Sequence, residues 1–134
     1  MSRVLALDYG SARCGCALSD PSETIVTPIG AIAGPAGRRG LAAIGALIRE
    51  REVQRVVVGL PVSLDGGDSE QTRETRAFAQ RLELRLGEEI PVELYDERFT
   101  TRIAGRDQGS PRADEDSRAA AHMLESWLHS RQRQ

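Results

Sequence analysis

The sequence predicts an α/β fold: a five-stranded mixed sheet in the order βββ-α-β-α-β-α, flanked by helices. Three observations predict it. The runs Val4-Leu5-Ala6-Leu7 and Val56-Val57-Val58 are continuously apolar, as strands covered on both faces are. Three short strand patterns come one after another before any helical spacing appears, which predicts an antiparallel meander. Beyond them, strand and helix patterns alternate, so the fourth strand, reached through a helix, returns to the sheet by a crossover in a parallel position.

The elements follow in chain order. Val4 to Asp8 is a central strand ending in a carboxylate, and Asp8-Tyr9-Gly10-Ser11 turns the chain into a second strand over Cys14 to Ser19. A third strand covers Thr24 to Ala33, and Pro28, which lacks an N–H, weakens it or places it at an edge. After the Gly34-Pro35-Ala36-Gly37 loop, Leu41, Ile44, Leu47 and Ile48 recur at helical spacing between about Arg38 and Glu52. Arg55 to Leu60 is the fourth strand. Asp68 with Gln71 resembles a capping box for a helix running to Leu86, with Phe78, Leu82 and Leu86 on its core face and Gly87 ending it. Ile90 to Tyr95 is the fifth strand. Thr100 to Gln108 reads as a short helix broken by Gly109-Ser110-Pro111. The last helix runs from Asp116 to Ser130 on a stripe of Ala120, Met123, Leu124, Trp127 and Leu128.

Residues 1–134 are the length of one domain, large enough to bury roughly two-thirds of the unfolded chain's surface without staples. Hydrophobic residues at 40% and charged residues at 28% exclude a disordered chain. No apolar run approaches the roughly 18 residues of a membrane span and no leader pattern opens the chain, so the expected location is the cytoplasm, with no membrane partner. The net charge of −2 argues against coating nucleic acid by bulk charge but leaves room for a local basic rim. Every basic residue is Arg, which grips phosphate or carboxylate in a fork. Cys14 and Cys16 are expected to be buried free thiols. His122 and His129 lie far apart on one helix and form no ligand pair.

Candidate chemistry gathers at strand ends, where open α/β sheets build their sites. Asp8 closes the first strand, and Asp96 or Glu97 follows the fifth. Were the two strands parallel neighbours, these acids would converge. On the last helix, Asp116 precedes the apolar stripe at Ala120, Met123, Leu124 and Trp127, whereas Asp114 leads into Arg118, His122 and Glu125. Asp116 therefore faces the sheet, either as a helix cap or as a metal ligand. Three converging acids suit two Mg²⁺ or Mn²⁺ ions about 4 Å apart, a pair able to clamp the attacking and leaving oxygens of a phosphodiester. No His or Gly-flanked Ser is placed for a hydrolase triad.

Four blocks in order resemble the YqgF/RuvX family of nucleases, within the ribonuclease-H-like superfamily. They are Asp8-Tyr9-Gly10-Ser11-Ala12-Arg13-Cys14-Gly15-Cys16-Ala17-Leu18-Ser19-Asp20, Val57-Val58-Gly59-Leu60-Pro61 with Asp65-Gly66, Asp96-Glu97-Arg98-Phe99-Thr100-Thr101, and Asp116-Ser117-Arg118-Ala119-Ala120. The resemblance spans Val4 to Leu128. It implies a ribonuclease-H-like fold and a catalytic, metal-binding triad of Asp8, Glu97 and Asp116. It also implies maturation of the 5′ end of pre-16S ribosomal RNA, with Holliday-junction resolution as a second activity. Strand alternation sets Asp96 with the apolar Val92 and Leu94, which favours Asp96 over Glu97, and a kink at the strand end would reconcile the two readings.

Arg13 and Arg98, each beside an acid, are the candidate phosphate contacts; the competing reading pairs them with Asp20 or Asp96 on the surface. The segment between Thr101 and Asp116 carries Arg102, Arg106 and Arg112 and reads as a substrate-gripping loop. The expected partner is RNA, namely pre-rRNA alone or in ribosomal precursor particles, with branched DNA as the alternative. A resolvase would need a symmetric homodimer rather than a monomer. Two further readings are a non-catalytic nucleic-acid-binding module and a phosphate-cradling ATPase of the sugar-kinase and actin type. The latter needs two lobes where 134 residues supply one. With aromatics at only 4%, recognition by backbone shape rather than base stacking is expected.

Overall fold

The computed structural model describes residues 2–63, 65–100 and 115–132. Its elements are β1 (Val4–Asp8), β2 (Arg13–Ser19), β3 (Val26–Ala33), α1 (Arg38–Glu50), β4 (Arg55–Leu60), α2 (Glu70–Leu86), β5 (Val92–Asp96), a single 3₁₀ turn at Glu97–Phe99, and α3 (Glu115–Gln132). The expected helix over Thr100 to Gln108, and the arginines at 102, 106 and 112, lie outside the described residues apart from Thr100.

The strands form one mixed sheet in the order β3-β2-β1-β4-β5. β1 pairs antiparallel with β2 (Leu7 opposite Cys16, Asp8 opposite Gly15), and β2 with β3. β4 runs parallel to both β1 and β5. β3 is an edge strand, a place where Pro28 is tolerated, and the β2–β3 register shifts between Cys16 and Ala17. β1 and β5 are not the parallel neighbours whose adjacency would by itself make their terminal acids converge. β4 lies between them.

Both faces of the sheet are covered. Leu5, Leu7, Cys14, Cys16, Val56 and Val58 pack with Ile44, Ile48, Phe78 and Leu82 of α1 and α2. Val4, Ala6, Ala17 and Val57, the alternate residues, pack with Ala120, Met123, Leu124, Trp127 and Leu128 of α3. Two-sided burial explains the uninterrupted apolar runs of β1 and β4. Cys14 and Cys16 are buried free thiols, as expected.

The cap of α2 differs from the expected Asp68–Gln71 pair by one residue. Ser69 is the N-cap, its hydroxyl accepting from the Thr72 N–H at 3.1 Å while the Ser69 N–H donates back to Thr72 Oγ1 at 3.1 Å. Thr72 Oγ1 also donates to the Pro61 carbonyl, tying the helix to the end of β4. Asp68 is left to pair with Arg76 at 3.4 Å. Gly87 closes the helix at φ 76°, as its lack of a Cβ allows.

Candidate active site

Alternation fixes which acids can meet. On β1, Val4 and Ala6 face α3, and Asp8, two residues on, shares their side. On β5, Tyr95 packs on the α3 side, and Glu97, which opens the 3₁₀ turn after the strand, lies with Met123 of α3 over Gly59 on that same side. Asp96 belongs with Val92 on the other side. The expectation that an apolar face favours Asp96 fails because α1 and α2 cover one face and α3 the other, so apolarity does not choose between them.

Local chemistry reinforces the parity. Asp96 accepts from the Arg98 N–H at 2.9 Å and so caps the 3₁₀ turn that starts at Glu97. It also takes the Arg98 guanidinium in a fork, with Nε at 3.0 Å and Nη2 at 2.6 Å from Oδ2. This arginine holds the Asp96 carboxyl below the usual carboxylate range. Arg98 therefore grips Asp96, the competing reading of its role. Arg13, whose side chain stays largely exposed, pairs with Asp116 rather than with Asp20. Its Nε donates to Asp116 Oδ2 at 2.9 Å.

Asp8 and Glu97 line one cavity of about 60 Å³, walled also by Thr100, Ala119, His122 and Met123. A glycine lets them share it although β4 intervenes. Gly59 follows Val58, the residue level with Leu7, so it sits beside Asp8 in the ladder. A Cβ there would lie 2.8 Å from Glu97 Oε2 and 2.6 Å from Met123 Sδ. Glu97 thus lies over β4 in the space a side chain would fill. A second glycine admits α3. Gly15, opposite Asp8, would place a Cβ 2.0 Å from the Asp116 carbonyl oxygen. The main chain of Asp116 therefore rests against the residue paired with Asp8.

Asp116 lies inside the first turn of α3, one residue past its start, and is not its N-cap. Its side chain is 38% exposed and turned to Arg13. The site thus brings Asp8 and Glu97 to one cavity and the Asp116 backbone beside them, with the Asp116 carboxylate directed elsewhere. Asp114 lies outside the described residues. Among the described residues no three ligand-type side chains form a ready metal cluster. The oxygen donors of Asp8 and Glu97 nevertheless suit a hard divalent cation.

Gly15, Gly59, Thr100 and His122 are site residues that sequence reasoning passed over. A glycine inside an otherwise apolar strand was the available signal for the first two, since it marks close approach of another chain segment. His122 was set aside for want of a histidine partner, yet it lines the cavity and sits 3.8 Å through Nδ1 from Glu125. Cys14, on the opposite side of β2, has its thiol pKa raised by hydrogen bonding with Cys16 and by burial, with Asp8 and Asp116 adding negative charge nearby. It remains a neutral core thiol.

Known proteins share this architecture. A protein of Anaeromyxobacter sp. (strain Fw109-5), named as a candidate pre-16S rRNA nuclease, is 40% identical over 96% of this chain and 98% of its own length. One of Corynebacterium jeikeium (strain K411), named likewise, is 35% identical over 98% of this chain and 88% of its own. Among solved structures, Thermus thermophilus RuvC in complex with a Holliday junction substrate superposes with a TM-score of 0.64 at 13% identity, covering 98% of this chain and 96% of that one. The fowlpox virus Holliday junction resolvase gives 0.56 at 11% identity, covering 96% and 99%. At these identities the likeness is one of fold. The family model described as "RuvX: Holliday junction resolvase" matches residues 2–130, and the chain belongs to the RuvX family.

Proposed function

We propose that this protein is a metal-dependent nuclease that hydrolyses phosphodiester bonds of RNA in the maturation of the 5′ end of pre-16S rRNA. The observation that carries the reading is the meeting of Asp8 and Glu97 in one cavity across Gly59, with the start of α3 seated on Gly15. The names borne by its relatives support pre-16S rRNA as the substrate.

In this reading Asp8, Glu97 and Asp116 would hold two Mg²⁺ or Mn²⁺ ions. When bound, such ions draw charge from the phosphate and orient the reacting oxygens. For Asp116 to join, its carboxylate leaves Arg13. That exchange is cheap, because an exposed ion pair is worth about 0–1 kcal/mol. Arg13, once released, is available to a phosphate oxygen. Hydrolysis needs no protein nucleophile. A water oxygen forms the new bond to phosphorus, the bond to the leaving ribose oxygen breaks, and the proton lost by water is balanced by one gained at the leaving oxygen. Asp8 and Glu97 accept hydrogen bonds from that water and orient it. The place of action is the cytoplasm, on pre-rRNA alone or in ribosomal precursor particles.

The family description favours one second reading, cleavage of four-way DNA junctions. That activity needs two sites in a symmetric homodimer, whereas an RNA processor can act as a monomer. Matched RNA, single-stranded DNA and junction substrates, incubated with Mg²⁺ or Mn²⁺ and with Asp8→Asn as control, test the proposal. RNA cleavage that Asp8→Asn abolishes is the expected result. Junction cleavage alone, by a dimer, would replace it with the second reading.

A further inference from the structure

The turn that carries Glu97 to the cavity also presents an aromatic side chain to solvent. Of the five aromatic residues, Tyr9, Phe78 and Trp127 are buried, Tyr95 is half-buried, and Phe99 is 63% exposed. A lone exposed apolar residue is ordinary. Two further observations set this one apart. The first is its place: Phe99 stands between Glu97 and Thr100, both of which wall the cavity that Asp8 shares. The second is how firmly it is held. Before it, the Arg98 N–H donates to Asp96 Oδ1 at 2.9 Å; after it, the Thr100 N–H donates to the Glu97 carbonyl at 3.0 Å. Its own carbonyl accepts from Ser126 Oγ of α3 at 3.1 Å, and that hydroxyl lies 2.7 Å from Tyr95 Oη. The Phe99 ring meets the Tyr95 ring edge to face, with centroids 6.0 Å apart and planes at 61°. Tyr95 in turn packs against the core under α3.

We infer that Phe99 is a stacking platform for an unpaired nucleobase beside the scissile phosphate. A strand whose phosphate lies at the Asp8–Glu97 cavity carries its neighbouring bases over the rim, and Phe99 is on that rim, two residues from Glu97. Every base has a π-face, so one aromatic ring accepts any of them without reading sequence. A ring already held in place loses little freedom on binding. Bases inside a duplex are stacked on one another, so the platform selects unpaired strand. The scarcity of aromatics limits how many bases can stack on this protein, and one suffices to anchor the strand at the cut.

This inference rests on the reading of the protein as an RNA-cleaving enzyme, and the test separates the two. Affinity is measured in the Asp8→Asn background with Mg²⁺ present, so that RNA is bound without being cut. The ligands are a single-stranded RNA, the same strand with one abasic nucleotide walked along it, and a perfect RNA duplex. Phe99→Ala is expected to weaken single-strand binding roughly 5- to 100-fold, the range for loss of one stacked base, with Tm within a few degrees and duplex binding within 2-fold. One abasic position, adjoining the cut that the wild-type protein makes, is expected to weaken the parent by a similar factor and to cost Phe99→Ala nothing further. Phe99→Trp is expected to restore affinity and Phe99→Leu is not. Unchanged single-strand binding by Phe99→Ala overturns the inference. So does restoration by Phe99→Leu, which would show an apolar contact rather than stacking, and so does a loss that persists undiminished at every abasic position. Failure of the wild-type protein to cleave any substrate overturns the nuclease reading alone, because stacking is read from binding.

Discussion

Replacing Gly15 with alanine tests the construction of the site at its narrowest point. The new Cβ would meet three backbone atoms at the start of α3: the Asp116 carbonyl oxygen at 2.0 Å, the Asp116 carbonyl carbon at 2.1 Å and the Ser117 nitrogen at 2.7 Å. Ordinary contact begins near 3.4 Å, so the first turn must retreat by about 1.4 Å. No flexible side chain can absorb the clash. Overpacking of this kind costs about 1–3 kcal/mol, and each kcal/mol corresponds to roughly 3–6 °C in Tm for a chain of this length. The retreat carries Asp116 away from Asp8, and a displacement near 1 Å costs on the order of 100-fold in rate. The assay pairs thermal unfolding with RNA cleavage at a temperature where both proteins are folded. Gly45→Ala, in the interior of α1, is the control. Its Cβ would meet nothing nearer than 3.7 Å, and it should be neutral or gain up to about 1 kcal/mol. A Gly15→Ala protein with wild-type Tm and wild-type rate would refute the packing argument. A lowered Tm with an unchanged rate would remove Asp116 from the site.

Three other outcomes are expected. Asp8→Asn should abolish metal-dependent cleavage while Tm stays within a few degrees, and retained turnover in a clean preparation would count against the site. Arg13→Gln should tighten Mn²⁺ binding by up to about 5-fold, since the ion pair it removes is worth at most about 1 kcal/mol, and should weaken RNA binding. Calorimetric titration showing weaker metal binding would contradict the exchange at Asp116. Asp20 organises the β2–β3 turn, accepting from Ser22 Oγ and from the Thr24 and Ile25 N–H groups at 2.9 Å. The Ser22 hydroxyl and these amides lower its pKa to about 2 from 3.8. A depressed carboxylate contributes stability above its unfolded pKa and loses it as pH falls through the folded value. The Tm difference between wild type and Asp20→Ala should therefore be constant above about pH 4 and vanish toward pH 2; a gap that widens in acid would reverse the assignment.

Local pattern determined much of this protein. The three opening strands, the two crossovers, the stripe of α3 from Ala120 to Leu128 and the edge position of β3 follow from apolar periodicity and from Pro28, because burial selects side chains residue by residue. The motifs also marked Asp8, Glu97 and Asp116. The tertiary structure alone decided that Asp8 and Glu97 share a cavity while the Asp116 carboxylate pairs with Arg13. Sequence gives the parity of a strand but not which helix covers which face, so strand alternation favoured Asp96 while the motif pointed to Glu97, and only the structure shows α3 lying over Tyr95. Nor does it show that β4 separates β1 from β5, which makes the missing side chain of Gly59 the passage between Asp8 and Glu97. The pairing of Arg13 with Asp116 is likewise a property of distance. Contacts between residues remote in sequence depend on the packing of whole elements, and no local signal encodes them.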